Sequence, residues 1–212
     1  MRSTEGNQRM TGRTESISSE KATFIHPTAS LFGKIHLGEG SSIWHNAVIR
    51  AEVHAVEIGP YTNIQDFVMI HVGFSHGVRI GPYCSIAHHA TIHGAVVGEN
   101  CLIGINSTVM DGCNIGPNCV IGAGAVVPEN TSVPSDSVVV GIPAQAVGRR
   151  DNFVANRLNA FAYYQNAMGY KRGNYRVWAS NEYRAAETAE RRRLDSLIHE
   201  DDALNEKQIE DE

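Results

Sequence analysis

The run VGENCLIGINSTVMDGCNIGPNCVIGAGAV, residues 97–126, decides the fold. It divides into six-residue units opening on Val97, Ile103, Val109, Ile115 and Ile121, commonly followed by glycine and, four places after the aliphatic residue, by a small one. The same phrase stands upstream as IGPYTN at 58–63 and IGPYCS at 80–85. An aliphatic residue recurring at this interval from about Ile25 to Gly141 is the hexapeptide pattern of a parallel β-helix. In such a helix the aliphatic side chain fills the interior and small or turn-forming residues permit the tight corners. Each coil covers the edges of its neighbour, so no coil is stable alone.

The pattern is similar to that of the hexapeptide-repeat proteins, which implies the left-handed form: a triangular prism with three hexapeptides, about 18 residues, per coil. Cys84, Cys101, Cys113 and Cys119 each fall four residues after an aliphatic position (Ile80, Val97, Val109, Ile115), where the repeat asks for a small side chain. They read as buried packing thiols of a reducing compartment rather than as ligands or disulfides.

Working back from the repeat, Ile49, Ile58, Ile64, Ile70, Ile80, Ile86, Ile92 and Val97 are successive steps, with extra residues looped out at 51–57 and 72–79. Three steps make one coil. Ile49, Ile70 and Ile92 then share a face, and the residues after them, Arg50, His71 and His93, form a column about 4.8 Å apart in backbone spacing. Ile64 and Ile86 share another face, so Asp66 and His88 form a second column. Three histidines can make a tetrahedral metal site with one open position, provided that a different subunit supplies His88. The two columns therefore predict a homotrimer with its metals between subunits. His89 has no column partner in this register and reads as structural or solvent-facing.

The surrounding chain sets bounds. Of 212 residues, 42% are hydrophobic and 19% charged, enough for one domain with a core and an appendage. The net charge of −5 is concentrated at the C-terminal end, where residues 181–212 hold eleven acidic and five basic side chains. The rest is near neutral and offers no nucleic-acid surface. No apolar run is long enough to span a bilayer and no signal peptide is evident, so the expectation is a soluble, cytoplasmic protein. The expected divisions are a flexible tail at 1–22, a β-helix carrying the metal site at 23–148, a helical extension at 149–200 and an acidic tail at 201–212.

The segments WHNAVIRAEVHAVEIGPYTNIQDFVMIHV (44–72), IAHHATIHG (86–94) and GINSTVMDG (104–112) resemble the γ-class carbonic anhydrase family over roughly residues 24–150. The resemblance implies a trimeric left-handed β-helix with zinc, or ferrous iron, at its subunit interfaces, held by three histidines that match His71, His88 and His93. The family's Arg-Gly-Asp segment matches Arg50, Ala51 and Glu52, and its Gln-Asp pair matches Gln65 and Asp66. The implied reaction is attack of zinc-activated hydroxide on carbon dioxide to give bicarbonate, a lyase activity. Gln65 would orient water or product, and Glu52 would accept its hydrogen bond. Arg50 would pair with Asp66 across the interface in a bidentate fork. Two departures bear on rate: Glu52 replaces an aspartate, and loop 72–79 (VGFSHGVR) lacks the glutamate that shuttles protons in the fastest members. The loop offers His76 instead, an imidazole of the kind that relays protons near neutral pH.

After GIPAQAVGRR (141–150), Asp151 reads as the N-cap of a helix with Val154, Leu158, Phe161, Gln165 and Met168 on one face and Gly169 as its stop. A second helix is expected over about 181–199, with Tyr183, Ala186, Leu194, Leu197 and Ile198 as its apolar face. An extension of this length is closer to the carnitine-operon and phenylacetate-pathway relatives. It brings in the alternatives: an acyl-CoA thioesterase or CoA-dependent acyltransferase on the same scaffold, or a non-catalytic trimeric assembly subunit.

Overall fold

The structure, a computed structural model, describes residues 17–210, with side chains described as far as Ile198. The first sixteen residues of the tail expected at 1–22 lie outside the described residues. Of the remainder, Ile17–Ser18 adds a strand parallel to Ser30–Leu37.

The chain winds into a parallel β-solenoid of about seven turns followed by two helices. Its three faces have a simple cause. Each coil places one aliphatic side chain inward per face, and parallel pairing stacks like on like: Ile49 on Ile70 on Ile92, Ile58 on Ile80 on Val97, and Ile43 on Ile64 on Ile86. Ile35, Ile43, Ile49, Ile64, Ile70, Ile86, Ile92, Ile103, Ile115 and Ile121 are fully buried. Each such side chain taken from water contributes roughly 1.5–3 kcal/mol. The interior is thus a set of aliphatic columns, held in register by hydrogen bonds that run from coil to coil.

Corners need a left-handed residue, and asparagine tolerates that conformation better than most. Asn46, Asn100, Asn106, Asn118 and Asn130 all have φ between 54° and 59°. At one corner the side chains form a ladder: Asn100 Nδ2 donates to Asn118 Oδ1 at 2.9 Å, and Asn118 Nδ2 to Asp136 Oδ1 at 3.3 Å. The cysteines are buried and free, as the repeat requires. Their thiols donate across to carbonyls of the following coil, Cys84 to Gly98 at 3.0 Å and Cys119 to Pro134 at 3.0 Å.

Of the residues expected to loop out at 51–57, only 52–55 lack a partner on a neighbouring strand among the described residues, while Ala51, Val56 and Glu57 are paired. Val48–Ile58 is one continuous strand that passes from one face to the next, pairing with Met69–His71 at its start and Val78–Ile80 at its end. The surplus is absorbed as an irregularity opposite Gly33–Ile35, a bulge that turns Glu52 and Val53 outward.

Helix α1 (Phe153–Lys171) lies along the face built from Phe24–Ile25, Ser42–Ile43, Asn63–Ile64 and Ser85–Ile86. Its start differs by a residue or two from expectation, although Asp151 Oδ1 does accept the Phe153 amide at 2.9 Å. Of the predicted apolar face only Leu158 is buried, and Asn156, Ala160, Asn166 and Ala167 take the remaining places. Asparagine serves here because the solenoid presents carbonyls: Asn156 Nδ2 donates to Asn100 O at 2.8 Å. Gly169 does not stop the helix. A Cβ there would lie 2.1 Å from Val177 Cγ2, so glycine permits the close return of the chain. Helix α2 (Asn181–Glu210) packs on α1 with Leu194 fully buried and Leu197 exposed. It continues through most of the segment expected to be an acidic tail from residue 201.

Candidate metal centre

The pairing register brings Arg50, His71 and His93 into one column, Arg50 beside His71 and His71 beside His93. The two imidazoles meet with His71 Nδ1 3.0 Å from His93 Nε2. At the far side of His93, Nδ1 lies 2.6 Å from Asp111 Oδ2. A carboxylate there accepts a hydrogen bond from Nδ1–H, which assigns the tautomer of His93 and leaves the Nε2 lone pair directed toward His71. Asp111 Oδ1 is buried and has no hydrogen-bond partner among the described residues. Room for this carboxylate comes from two glycines: a Cβ on Gly73 or Gly94 would fall 1.9 or 2.0 Å from Oδ1, and Gly94 also has φ +53°.

Glu52 closes the other side of the pair. Its Oε1 accepts from Arg50 Nη1 at 2.5 Å and its Oε2 stands 3.2 Å from His71 Nε2. Partial burial opposes ionisation of this carboxyl, but its own backbone amide, the Arg50 guanidinium and His71 together bring it below the usual range. Arg50, expected to reach Asp66 of another subunit, is thus engaged within its own chain.

Asp66 and His88 form the second column, on the neighbouring face. Asp66 Oδ2 is 3.0 Å from His88 Nδ1, and Asp66 Oδ1 is 3.2 Å from His45 Nδ1, the latter within ion-pair range but without hydrogen-bond alignment. Tyr163 of α1 brings its hydroxyl to 3.2 Å from His88 Nε2. Burial, with Asp66 adding to it, pushes the Tyr163 hydroxyl up to about 12, so it stays protonated and donates. With Tyr163 donating, His88 Nε2 is the accepting nitrogen and its proton lies on Nδ1, on the Asp66 side; a cation at Nε2 would take the place of the Tyr163 hydroxyl. Gln65 is buried, with Nε2 donating to Asn63 Oδ1 at 3.0 Å.

Among the described residues of one chain, no group of three or more histidine, cysteine or acidic side chains gathers to hold an ion. The structure brings His71 to His93 and keeps His88 on a different face. His89 is exposed, in line with its sequence reading, but it does have a column partner, stacking on Phe67 at 4.8 Å with the rings 3° from parallel. Both occupy left-handed corner positions. His76 is exposed and lines a cavity of about 400 Å³ together with His54, Glu57 and Gly94, the residue next to His93. Asp111 and Tyr163 were missed as site residues. Asp111 lies in the GINSTVMDG segment two places after the repeat position Val109, which is a signal that could have found it; Tyr163 depends on how α1 docks.

Residues 94–129 match the family described as bacterial transferase hexapeptide (six repeats). The chain is 44% identical over 119 residues to a probable carbonic anhydrase of Methanocaldococcus jannaschii, covering 56% of this chain and 75% of that protein. It is 39% identical over 132 residues to the mitochondrial gamma carbonic anhydrase 1 of Arabidopsis thaliana, covering 59% of this chain and 48% of that one, about half its length. Among solved structures, a hexapeptide transferase family protein from Anaplasma phagocytophilum superposes with a TM-score of 0.68 at 29% identity, covering 73% of this chain and 92% of that one.

Proposed function

Because this chain belongs to the hexapeptide-repeat family of γ-class carbonic anhydrases and their relatives, we propose that it is a metal-dependent carbonic anhydrase that converts carbon dioxide to bicarbonate as a homotrimer. His71 and His93 of one subunit and His88 of the next would hold the ion, zinc or ferrous iron. The observation that supports this most directly is that each column sets a carboxylate on the Nδ1 side of its histidine, Asp111 hydrogen-bonded to His93 at 2.6 Å and Asp66 3.0 Å from His88, so that Nε2 of each, now facing His71 Nδ1 and the Tyr163 hydroxyl, is the nitrogen a cation would take. Imidazole donors backed by carboxylates suit a borderline divalent cation. A cation bound there supplies positive charge that lowers the pKa of water toward neutrality, making a nucleophile available to carbon dioxide.

The remaining chemistry belongs to this chain's side chains. Glu52, ionised and steered by Arg50, accepts a hydrogen bond from the attacking water or the product at Oε1 or Oε2. Gln65, whose amide nitrogen gives one of its two hydrogens to Asn63, would orient the same molecule through its side-chain amide. Asp66, 3.0 Å from His88 Nδ1, would hold the proton of His88 there. His76, on the cavity that reaches Gly94, passes protons to buffer. In the trimer Arg50 would keep Nη1 on Glu52 and turn its remaining nitrogens to Asp66 of the neighbouring subunit, locking the two together.

A second reading is acyl transfer or thioester hydrolysis with CoA substrates, toward which the likeness to the Anaplasma protein points only as far as its description as a hexapeptide transferase family protein. One sample separates the two. The chain is purified without air or chelator, its metal content is determined, and carbon dioxide hydration and acyl-CoA hydrolysis are measured side by side. Hydration that follows metal content across chelation and reconstitution supports the anhydrase. Metal-free protein that hydrolyses acyl-CoA and leaves carbon dioxide untouched would replace it.

A further inference from the structure

The corner that carries the asparagine ladder changes character in two earlier coils. Where later coils use Asn100 and Asn118, these use Tyr61 and Tyr83, at φ +54° and +57°. Backbone hydrogen bonds place all four in one column, Tyr83 N to Pro60 O at 2.8 Å and Asn100 N to Pro82 O at 2.8 Å. A bulky residue in a left-handed corner is unfavourable, and two in succession call for a reason. The two rings stack 5.3 Å apart and 7° from parallel, and Tyr164 of α1 meets Tyr61 edge-on at 5.2 Å.

With Phe161, Arg157, Glu190 and Arg193, these three tyrosines line a cavity of about 270 Å³ between the solenoid and the two helices. Its charges are unbalanced. Arg193 is satisfied by Glu190, Nε and Nη2 donating at 2.8 and 2.6 Å. Arg157 lies flat on Tyr83, Cζ 3.4 Å from the ring centroid, but its Nε is buried without an acceptor, and it has no ion pair among the described residues. A guanidinium gains most from a planar bidentate anion. This corner joins the face of Val78–Ile80 to that of Ser85–Ile86, so it is not the corner at which His71 and His93 sit.

We propose that this cavity binds a small aromatic carboxylate, its carboxylate on Arg157 and its ring against Tyr61, Tyr164 and Phe161. One unpaired guanidinium beside the carboxylate of Glu190 favours a monoanion over a phosphate dianion. The volume is below the roughly 300–1,000 Å³ of sites for larger ligands, which selects a single ring. Aromatic walls favour a planar ring over a saturated one.

The test is calorimetric titration of the whole chain with benzoate, beside benzamide, which lacks the charge, and cyclohexanecarboxylate, which lacks the flat ring. Benzoate is expected to saturate at one site per chain and to bind more tightly than either analogue. Arg157→Gln should weaken benzoate at least about tenfold while metal content stays unchanged. Tyr61→Asn, which installs the residue type of the later corners and so keeps the fold, should weaken it as well and decides the matter if Arg157→Gln does not fold. No saturable binding, equal binding of benzoate and benzamide, or benzoate affinity preserved in the folded variants would overturn the proposal.

Discussion

His71 Nδ1 and His93 Nε2 stand 3.0 Å apart on successive coils, held between Glu52 on one side and Asp111 on the other. Two imidazole nitrogens at that distance share a single proton, and a cation offers the same pair a way to use both lone pairs. Metal binding by the pair therefore depends on the groups that orient it, Glu52 and Asp111, as much as on the two imidazoles.

Asp111 carries the first prediction. Asp111→Ala removes the acceptor for His93 Nδ1–H and should lower metal affinity about 10–100-fold, read by competition against a chromophoric chelator, with the circular dichroism spectrum unchanged. Gly94→Ala should act in the same direction, since its Cβ would meet Asp111 Oδ1 at 2.0 Å on a backbone with φ +53°.

Glu52 carries the second. If the carboxylate accepts a hydrogen bond during hydration, Glu52→Gln should lower kcat by removing the charge, while Glu52→Asp should retain or raise it. Stopped-flow hydration assays on both variants decide, and equal rates in all three proteins would remove Glu52 from the chemistry.

The thiols give a third, independent check on the solenoid. Burial pushes the Cys113 thiol up from its ordinary value, and all four cysteines are buried. Native protein at pH 8 should react slowly or not at all with a disulfide reagent, while about four thiols per chain should react in guanidinium. A folded state that favours neutral Cys113 gains stability below the ordinary thiol pKa and loses it as pH rises toward the elevated folded value. The guanidinium midpoint should therefore fall between about pH 8 and pH 10.

The solenoid was legible in the sequence because its physics is periodic. Counting aliphatic steps placed Ile49 on Ile70 on Ile92 and hence His71 beside His93, and the pairing register agrees. What escaped the count is aperiodic. Residues 51–57 carry surplus length without leaving their strand, because the preceding strand bends with them at Gly33. His89 and Phe67 pair through rings rather than through repeat positions. Helix α1 buries Asn156 because it rests there on backbone carbonyls of Asn100 and Cys119, where an apolar stripe is the wrong signal. Tyr163 follows from that docking, and no spacing rule anticipates it.

The central claim, a metal site shared between subunits, has one direct measurement: metal content of a co-expressed mixture of His88→Ala and His71→Ala chains. Each variant alone should lose its metal, and His88→Ala should loosen the trimer at the same time, since ligand and interface are one feature. In each mixed trimer one of the three interfaces joins one chain's intact His71 and His93 to another chain's intact His88, so a randomly assembled equal mixture should recover about a quarter of the parental metal, and carbon dioxide hydration with it. A mixture as empty as either variant, or His88→Ala alone keeping its full metal content, would contradict the account.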